Sequence, residues 1–291
     1  MDKKPLVSIV IVNWNGMRFL KDCLESLKKA RYPNREIIFV DNASADESVA
    51  FVKKNYPEMK IIQNTENLGY AEGHEKAIQQ AKGSLVLLLS TDTILEQNVL
   101  EELVKGIYSE KNIGCVMPKL VMHPQKDKID SVGSFFIQNG MTYHYGREKN
   151  PRDAKYNKKM FVYTAKGACL LFKASVLKKI GLFDKDFFAY FEETDLCHRV
   201  WLSGNKVLYW PYCFVYHKGG GASGQMVSSF IQFHSYKNRI CAYLKNLSAE
   251  NLVWVLPQLF LIYQITSLVH VVIGRFGVAG AVQKAIWWNI F

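Results

Sequence analysis

The strongest constraint on the fold is an alternation of apolar runs and helix-like stretches through the first half of the chain. The apolar runs predict β-strands at Val7–Val12, Glu36–Val40, Lys60–Gln63 and Ser84–Leu89. The stretches between them predict helices at Arg18–Ala30, Asp46–Asn55 and Ala71–Lys82. The first and last runs are almost unbroken in apolar residues, as is typical of parallel strands buried on both faces. The alternation therefore predicts an α/β fold with a Rossmann-like, mostly parallel sheet flanked by helices.

Local signals predict where two of these helices begin and end. Ser44-Ala45-Asp46-Glu47 has the pattern of a capping box that opens the second helix. Gly83 follows the third helix and is predicted to close it.

The middle of the chain has a weaker pattern. Residues 111–160 contain ten Lys or Arg and four Asp or Glu, which predicts a basic, loop-rich insertion over one edge of the sheet. Phe161–Phe172 is predicted as a strand, residues 192–203 as a helix, and Lys206–Tyr209 as a short strand. The segment His217–Gly224 holds four glycines in eight residues and predicts a flexible loop.

The C-terminal part of the chain changes character. Residues 251–274 carry no charged side chain, and as a helix they would extend about 36 Å, enough to cross a bilayer. Pro257 and two glutamines dilute this run, so we expect a segment that lies in the membrane surface or inserts shallowly. A buried helical hairpin is the alternative. We predict a catalytic domain over residues 1–230 and a helical, membrane-associating segment over residues 231–291.

Composition narrows the choice of partners and compartment. The apolar fraction of 49% and the charged fraction of 22% exclude a disordered or collagen-like chain. The net charge of +11 favours a polyanionic partner, but no nucleic-acid-binding module is recognisable, so we expect none. The cysteines form no Cys-x-x-Cys pair and are predicted to be reduced core residues. The first apolar run lacks a cleavage site and is interpreted as a strand, so we expect a location at the cytoplasmic face of a membrane.

Polar side chains follow all four predicted strands of the first half. They are Asn13 and Asn15, Asp41 and Asn42, Asn67, and the run Ser90-Thr91-Asp92. Ligands of open α/β sheets bind at the carboxyl ends of strands, so these residues predict a binding site. No Gly-x-Gly-x-x-Gly follows the first strand and no Walker motif is present, which disfavours dinucleotide and P-loop sites.

Several segments, in order, resemble one family. They are Val7–Gly16, Val40–Asp46, Asn67–Gly73, Leu88–Thr93, Gly181–Phe188, Glu192–Arg199, and His217 with Gly219–Ser223. Together they resemble the family-two inverting glycosyltransferases of the GT-A fold over about residues 5–245. The Asp-Asn-Ala-Ser form of the second segment is most similar to a rhamnosyltransferase-like branch.

The resemblance implies roles for the strand-end residues. Asp41 would read the nucleobase, and Asn13 and Asn15 would line the same pocket. The other nucleotide-sugar-binding candidates are Asn67, Gly69, Ser90, Thr91 and Asp92. Asp92 and His217 would hold Mg²⁺ or Mn²⁺ against the donor diphosphate, since hard cations prefer oxygen ligands.

An acidic cluster supplies the candidate catalytic residues. Inverting transfer needs one carboxylate to take the proton of the acceptor hydroxyl, and Glu192, Glu193 and Asp195 crowd the start of one predicted helix. Family position favours Glu193 as the base, while Glu192 and Asp195 would orient substrates. The alternative is that first-turn acids complement the helix dipole and that Asp195 pairs with Arg199 four residues later.

These observations predict an inverting, metal-dependent enzyme. It would transfer a sugar, such as rhamnose or another hexose, from a nucleotide diphosphate to a glycan or lipid-linked acceptor. Lys237 and Arg239 are candidates for contact with a diphosphate. The alternative is a catalytically silent sugar-nucleotide-binding subunit of a glycan assembly complex, which is favoured only by Ser90 standing where the family commonly has Asn or Asp.

Overall fold

The computed structural model describes residues 4–221 and 223–291. Residues 1–3 of the predicted catalytic domain and residue 222 of the predicted glycine-rich loop lie outside the described residues. The strands are β1 (Val7–Asn13), β2 (Arg35–Asn42), β3 (Lys60–Asn64), β4 (Leu85–Ser90), β5 (Thr93–Leu95), β6 (Ile113–Met122), β7 (Ile129–Ser131), β8 (Ser134–Phe136), β9 (Thr142–His144), β10 (Met160–Phe161), β11 (Cys169–Lys173) and β12 (Lys206–His217). The helices are α1 (Met17–Lys28), α2 (Ser48–Asn55), α3 (Gly69–Ile78), α4 (Val99–Tyr108), α5 (Ala174–Ile180), α6 (Glu192–Leu202), α7 (Ser228–Asn246), α8 (Ala249–Val272) and α9 (Phe276–Trp288).

The central sheet runs in the order β10-β12-β6-β11-β4-β1-β2-β3. Strands β3, β2, β1 and β4 are parallel, and β12 is parallel to β6. Strand β11 runs antiparallel to both of its neighbours, β4 and β6. The predicted α/β architecture with a mostly parallel sheet is confirmed.

The register of the parallel strands brings their carboxyl ends together. Asn13 at the end of β1 lies opposite Asp41 of β2, and Val12 lies opposite Ser90 at the end of β4. The apolar residues of β1 and β4 are buried, as their unbroken runs predict.

Both predicted helix-end signals are wrong. The side chain of Ser44 caps no helix, because its hydroxyl accepts from the Asn15 backbone N–H, and α2 starts only at Ser48. Helix α3 ends at Ile78, five residues before Gly83. A Cβ at Gly83 would lie 2.6 Å from the Leu6 carbonyl oxygen, so this glycine permits a close approach to the chain before β1.

The middle of the chain is more regular than its composition predicts. Residues 113–122 form β6, a buried strand in the centre of the sheet, although the sequence predicts loops there. Even Lys119 is buried, and its amine donates to the Pro151 carbonyl oxygen. The predicted strand Phe161–Phe172 is also wrong, since it divides into β10 and β11 with an irregular segment between them.

The bounds predicted for the last helix and strand around the sheet, α6 and β12, agree better with the structure. Helix α6 begins at the predicted residue, Glu192, and β12 extends the predicted strand at Lys206 as far as His217. All six cysteines are free thiols, and five of them are buried core residues as predicted, while Cys241 is partly buried.

The last three helices form a second apolar cluster beside the sheet. Within the described residues, one helix, α8, is long and apolar enough to cross a membrane, with a mean hydropathy of 1.7. Only 22% of that apolar window is buried, so α8 is not a core helix. Its exposed apolar side chains include Trp254, Leu261, Leu268 and Val272. The predicted boundary near residue 230 stays a prediction.

Candidate active site

A cavity of about 670 Å³ lies at the carboxyl ends of β1 and β4. The predicted site residues that line it are Asn67, Gly69, Ser90, Thr91, Asp92, Glu192, Glu193 and His217. The ends of β1 and β4 and the two glutamates at the start of α6, far apart in the sequence, therefore face one cavity.

The cavity depends on a close contact at Gly69. Its φ angle is +72°, and a Cβ there would lie 2.1 Å from the Phe188 carbonyl oxygen. That same oxygen accepts from the Tyr70 backbone N–H at 2.7 Å. Only glycine permits this approach, which brings the start of α3 against the segment before α6.

Asp92 and His217 belong to a chain of charged groups along the cavity wall. Asp92 Oδ2 lies 3.4 Å from His217 Nε2, and His217 Nδ1 lies 2.9 Å from Asp130 Oδ2. The Lys166 amine donates to Asp130 at 2.7 Å. Burial lowers the pKa of His217, but the hydrogen bonds with Asp130 and Asp92 outweigh it and raise the pKa to about 9.

Asp92 offers a carboxylate oxygen to a divalent cation, and His217 can complete a partial ligand set when the Nε2 proton that faces Asp92 is displaced. The described residues contain no group of three or more acidic, His or Cys side chains able to hold a metal on their own. However, Asp130 anchors one ring nitrogen of His217 and directs the other toward Asp92, as is usual for metal-binding histidines. Two protein ligands suit a cation whose remaining positions are filled by diphosphate oxygens and water.

The glycine-rich loop after β12 lies against the same residues. The Gly221 backbone N–H donates to Asp92 Oδ2 at 3.1 Å, and the Arg18 guanidinium donates to the Gly220 carbonyl oxygen at 2.8 Å. The described part of the loop predicted at residues 217–224 is thus tied to both β4 and α1.

The two glutamates at the start of α6 titrate abnormally. Burial raises the pKa of Glu193 to about 7, although backbone hydrogen bonds and the charge of Lys166 act against the rise. Burial and the neighbouring charge of Glu193 hold the pKa of Glu192 well above its ordinary value. Glu192 Oε2 has no hydrogen-bond partner among the described residues. Both carboxyl groups of the pair therefore have pKa values above the ordinary range, and that of Glu193 lies at about 7.

Asp195 lies apart from the other two acids. It is buried, and its Oδ2 accepts from Arg199 Nε at 2.9 Å and from Arg199 Nη2 at 2.8 Å. Its Oδ1 accepts from Asn246 Nδ2 at 2.7 Å. The carboxylate is fully engaged and does not line the cavity, so the ion pair offered as the alternative is present.

Three predicted nucleotide-binding residues support the cavity from behind. Asp41 accepts from Asn13 Nδ2 at 3.1 Å and from the Ser44 backbone N–H at 2.9 Å. Asn15 Oδ1 accepts from the Ala45 backbone N–H. Asp41, Asn13 and Asn15 thus fix the loops after β1 and β2 and do not line the cavity themselves.

Lys237 and Arg239, the candidates for contact with a diphosphate, do not line the cavity. The Lys237 amine donates to the Asp186 carbonyl oxygen, and Arg239 stacks over the Phe191 ring at 5.1 Å. Both side chains hold neighbouring chain segments in place.

Sequence reasoning missed several cavity-side groups. Lys166 and Arg147 line the cavity, and Asp130 stands behind His217. No motif marks Asp130 and Lys166, since they pair across 36 residues of chain. Asn42, which the sequence indicates as a strand-end residue, lines the cavity beside Asn67.

Comparison with known proteins places this architecture in a family. The model described as glycosyl transferase family 2 matches residues 8–181. The N-acetylglucosaminyl-diphospho-decaprenol L-rhamnosyltransferase of Mycobacterium tuberculosis is 23% identical over 79% of this chain and 81% of its own length. The chain spans 26%, 67% and 61% of the length of three other curated relatives.

Solved structures support the same fold. GalNAc-T7 with UDP, GalNAc and Mn²⁺ superposes with a TM-score of 0.66 at 18% identity, over 84% of this chain and 48% of that one. The mannosyltransferase PcManGT of Pyrobaculum calidifontis, with GDP-Man and Mn²⁺, gives 0.61 at 15% identity, over 100% of this chain and 88% of that one. The predicted family is confirmed: the chain belongs to glycosyl transferase family 2 and has the GT-A fold.

Proposed function

We propose that this chain is an inverting, metal-dependent enzyme that transfers a sugar from a nucleotide-diphosphate donor to a glycan or lipid-linked acceptor. The sugar would be a hexose or a deoxyhexose such as rhamnose. The observation that carries the proposal is that Glu192 and Glu193 line the same cavity as Asp92 and His217. The proposed proton acceptor and the proposed cation ligands therefore face one cavity.

The donor would bind along the strand ends. Asn67, Ser90, Thr91 and Asp92 line this side of the cavity, and Asp41 fixes the loop behind them. Two similar structures, GalNAc-T7 and PcManGT, were solved with UDP and GDP-Man, which supports a nucleotide-diphosphate donor.

Asp92 and His217 would hold Mg²⁺ or Mn²⁺ at the donor diphosphate. When bound, such a cation neutralises the negative charge that gathers on the leaving diphosphate. The same two similar structures were solved with Mn²⁺, which supports this assignment.

Glu193 would act as the general base. The acceptor hydroxyl oxygen attacks the anomeric carbon, and the Glu193 carboxylate takes the hydroxyl proton as the new bond forms. The bond from the anomeric carbon to the diphosphate breaks on the opposite side, and the diphosphate leaves with the electron pair. A pKa near 7 suits this role, because about half of the Glu193 carboxyl groups are ionised at neutral pH and the carboxylate accepts a proton readily.

The acceptor would be presented at a membrane. Helix α8 and the aromatic residues near the end of α9 leave apolar side chains exposed, and the net charge of +11 favours anionic lipid. The mycobacterial relative is named for a lipid-diphosphate acceptor, which supports a lipid-linked glycan here. These features favour a location at the cytoplasmic face of a membrane.

Turnover by Glu193→Gln tests the proposal. The full chain is incubated with Mn²⁺, a panel of UDP, GDP and dTDP sugars, and a polyprenyl diphosphate that carries N-acetylglucosamine. We expect one donor to support product formation, with inverted anomeric configuration by NMR. Glu193→Gln should lose about 10²- to 10⁴-fold in kcat, because it cannot accept the proton. A chelator should abolish turnover by the unaltered chain.

The exposed Glu47→Gln variant is the matched control, since it makes the same substitution outside the cavity. It should turn over normally. Full turnover by Glu193→Gln would contradict the assigned base. Donor binding without turnover, for every acceptor tried, would favour the silent sugar-nucleotide-binding subunit.

A further inference from the structure

One face of α7 contacts the chain segment that leads into the catalytic helix α6. These contacts begin at Asp184, where Lys245 donates to the carboxylate at 2.6 Å. They continue at Asp186 through Lys237 and end at Asp195 through Asn246. Helix α7 therefore holds this segment on both sides of the two cavity-lining glutamates.

The centre of the segment has an unfavourable backbone conformation. Tyr190 and Phe191 have φ angles of +71° and +70°, in the left-handed region that bulky side chains rarely adopt. Phe191 is also the N-terminal cap residue of α6, directly before Glu192. Two consecutive residues of this kind persist only where the surroundings determine the conformation.

The Asn238 side chain contacts this left-handed turn directly. Its Nδ2 donates to the Ala189 carbonyl oxygen at 2.9 Å and to the Tyr190 carbonyl oxygen at 2.6 Å. The side chain is completely buried, so water cannot replace either hydrogen bond without reorganising the site. Both donor hydrogens of one amide thus hold adjacent carbonyl groups of the left-handed turn.

Helix α7 is itself fixed from the other side by the end of α9. Asn289 Nδ2 donates to the Lys237 carbonyl oxygen at 3.1 Å, and the Lys237 amine lies 4.4 Å from the centre of the Trp288 ring. The neighbour of Asn238 is therefore anchored through both its backbone and its side chain.

We propose that Asn238 is a positioning residue, which fixes the left-handed turn at residues 189–191 and so sets how Glu192 and Glu193 enter the cavity. This inference rests on the proposed function for its catalytic meaning. Asn238 does not line the cavity, and it acts through the turn.

Amide hydrogen exchange tests the positioning role without any turnover. In the full chain, Asn238→Ala should speed exchange at the backbone amides of residues 192–196 by tenfold or more. The matched control is Tyr243→Phe on the same helix, which loses a buried hydrogen bond to the Gly140 carbonyl oxygen and keeps its ring. That variant should leave exchange at residues 192–196 unchanged.

Kinetics then separate positioning from a general loss of stability. Asn238→Ala should lower kcat by tenfold or more while the KM for the donor stays within twofold, because the strand ends are untouched. Tyr243→Phe should keep kcat within twofold. Equal kcat in the two variants, or unchanged exchange in Asn238→Ala, would overturn the proposal.

A milder variant covers the case in which Asn238→Ala does not fold. Asn238→Ser keeps one hydroxyl donor, so exchange at residues 192–196 should be faster, and kcat lower, than in the unaltered chain. Unaltered kcat and exchange in Asn238→Ser would also overturn the proposal. Full turnover by Glu193→Gln would instead count against the proposed function. The exchange measurement would still test the positioning role of Asn238.

Discussion

At the scale of single residues, the proposed role of Glu193 as the base predicts that turnover depends on pH. Burial raises the pKa of its carboxyl group from an ordinary value of 4.5 to about 7. Only the ionised carboxylate accepts a proton, so kcat/KM should rise about tenfold per pH unit below 7 and level off above it. A pH–rate profile at neutral and mildly acidic pH measures this rising limb of the kcat/KM curve.

Lys166 gives an internal check on that profile. Its positive charge lowers the pKa of Glu193, so Lys166→Met should move the limb to higher pH. A limb near pH 4.5, or a flat profile, would contradict Glu193 as the titrating base.

The sequence predicts the residues of this site better than their partners. Asp92, His217 and Glu193 stand in segments whose order resembles a family, and the structure brings all three to one cavity. Lys166 and Asp130 carry no such signal, because their pairing depends on how β7 and the segment before β11 are placed in space. Pairings of this kind follow from three-dimensional packing and not from local spacing.

At the scale of elements, the ion pair of Asp195 and Arg199 joins α6 to its surroundings. The Arg199 guanidinium also donates to the carbonyl oxygens of Ile180 and Leu182. Asp195→Ala would leave the partly buried Arg199 cation without its carboxylate, so we expect a loss of about 3 kcal/mol in the free energy of unfolding. Denaturant unfolding measures the loss, and donor affinity should be unchanged.

A double-mutant cycle with Arg199→Met provides the control. Removing both partners should cost less than the sum of the two single variants, because no unpaired charge remains. If Asp195→Ala instead kept its stability and lost turnover, Asp195 would have a direct role in the chemistry.

Strands and helices are predicted correctly where one hydrophobic pattern dominates the sequence. They are predicted incorrectly where tertiary contacts determine the local conformation. The unbroken apolar runs at β1 and β4 identify strands directly. Strand β6 is missed because Lys119 and Pro118 interrupt its pattern, although the fold buries both. The capping box at Ser44 fails because its hydroxyl is engaged by the loop after β1.

At the scale of the whole molecule, the exposed apolar residues of α8 should determine membrane binding. Leu268 is 63% exposed in α8, and burying such a side chain in lipid contributes about 1.5–3 kcal/mol. Leu268→Glu should therefore reduce the fraction that sediments with vesicles of zwitterionic and anionic phospholipid by about tenfold or more. Thermal stability should be unchanged, because the side chain packs against little else.

Leu202→Glu is the matched control, since Leu202 is 62% exposed at the end of α6 and outside the C-terminal helices. It should leave sedimentation unaltered. Equal effects of the two substitutions, or an unaltered chain that stays in the supernatant, would show that α8 does not bind the membrane.

The antiparallel direction of β11 has a consequence for insertions and deletions near the cavity. Because β11 runs against β4, it presents its beginning to the cavity, and the Ala168 carbonyl oxygen accepts from the Ser90 backbone N–H there. The end of β6 and the beginning of β11 thus lie at the cavity side of the sheet. Insertions or deletions in the loops between these two strands would change the rim of the cavity and leave the register of β1, β2 and β4 intact.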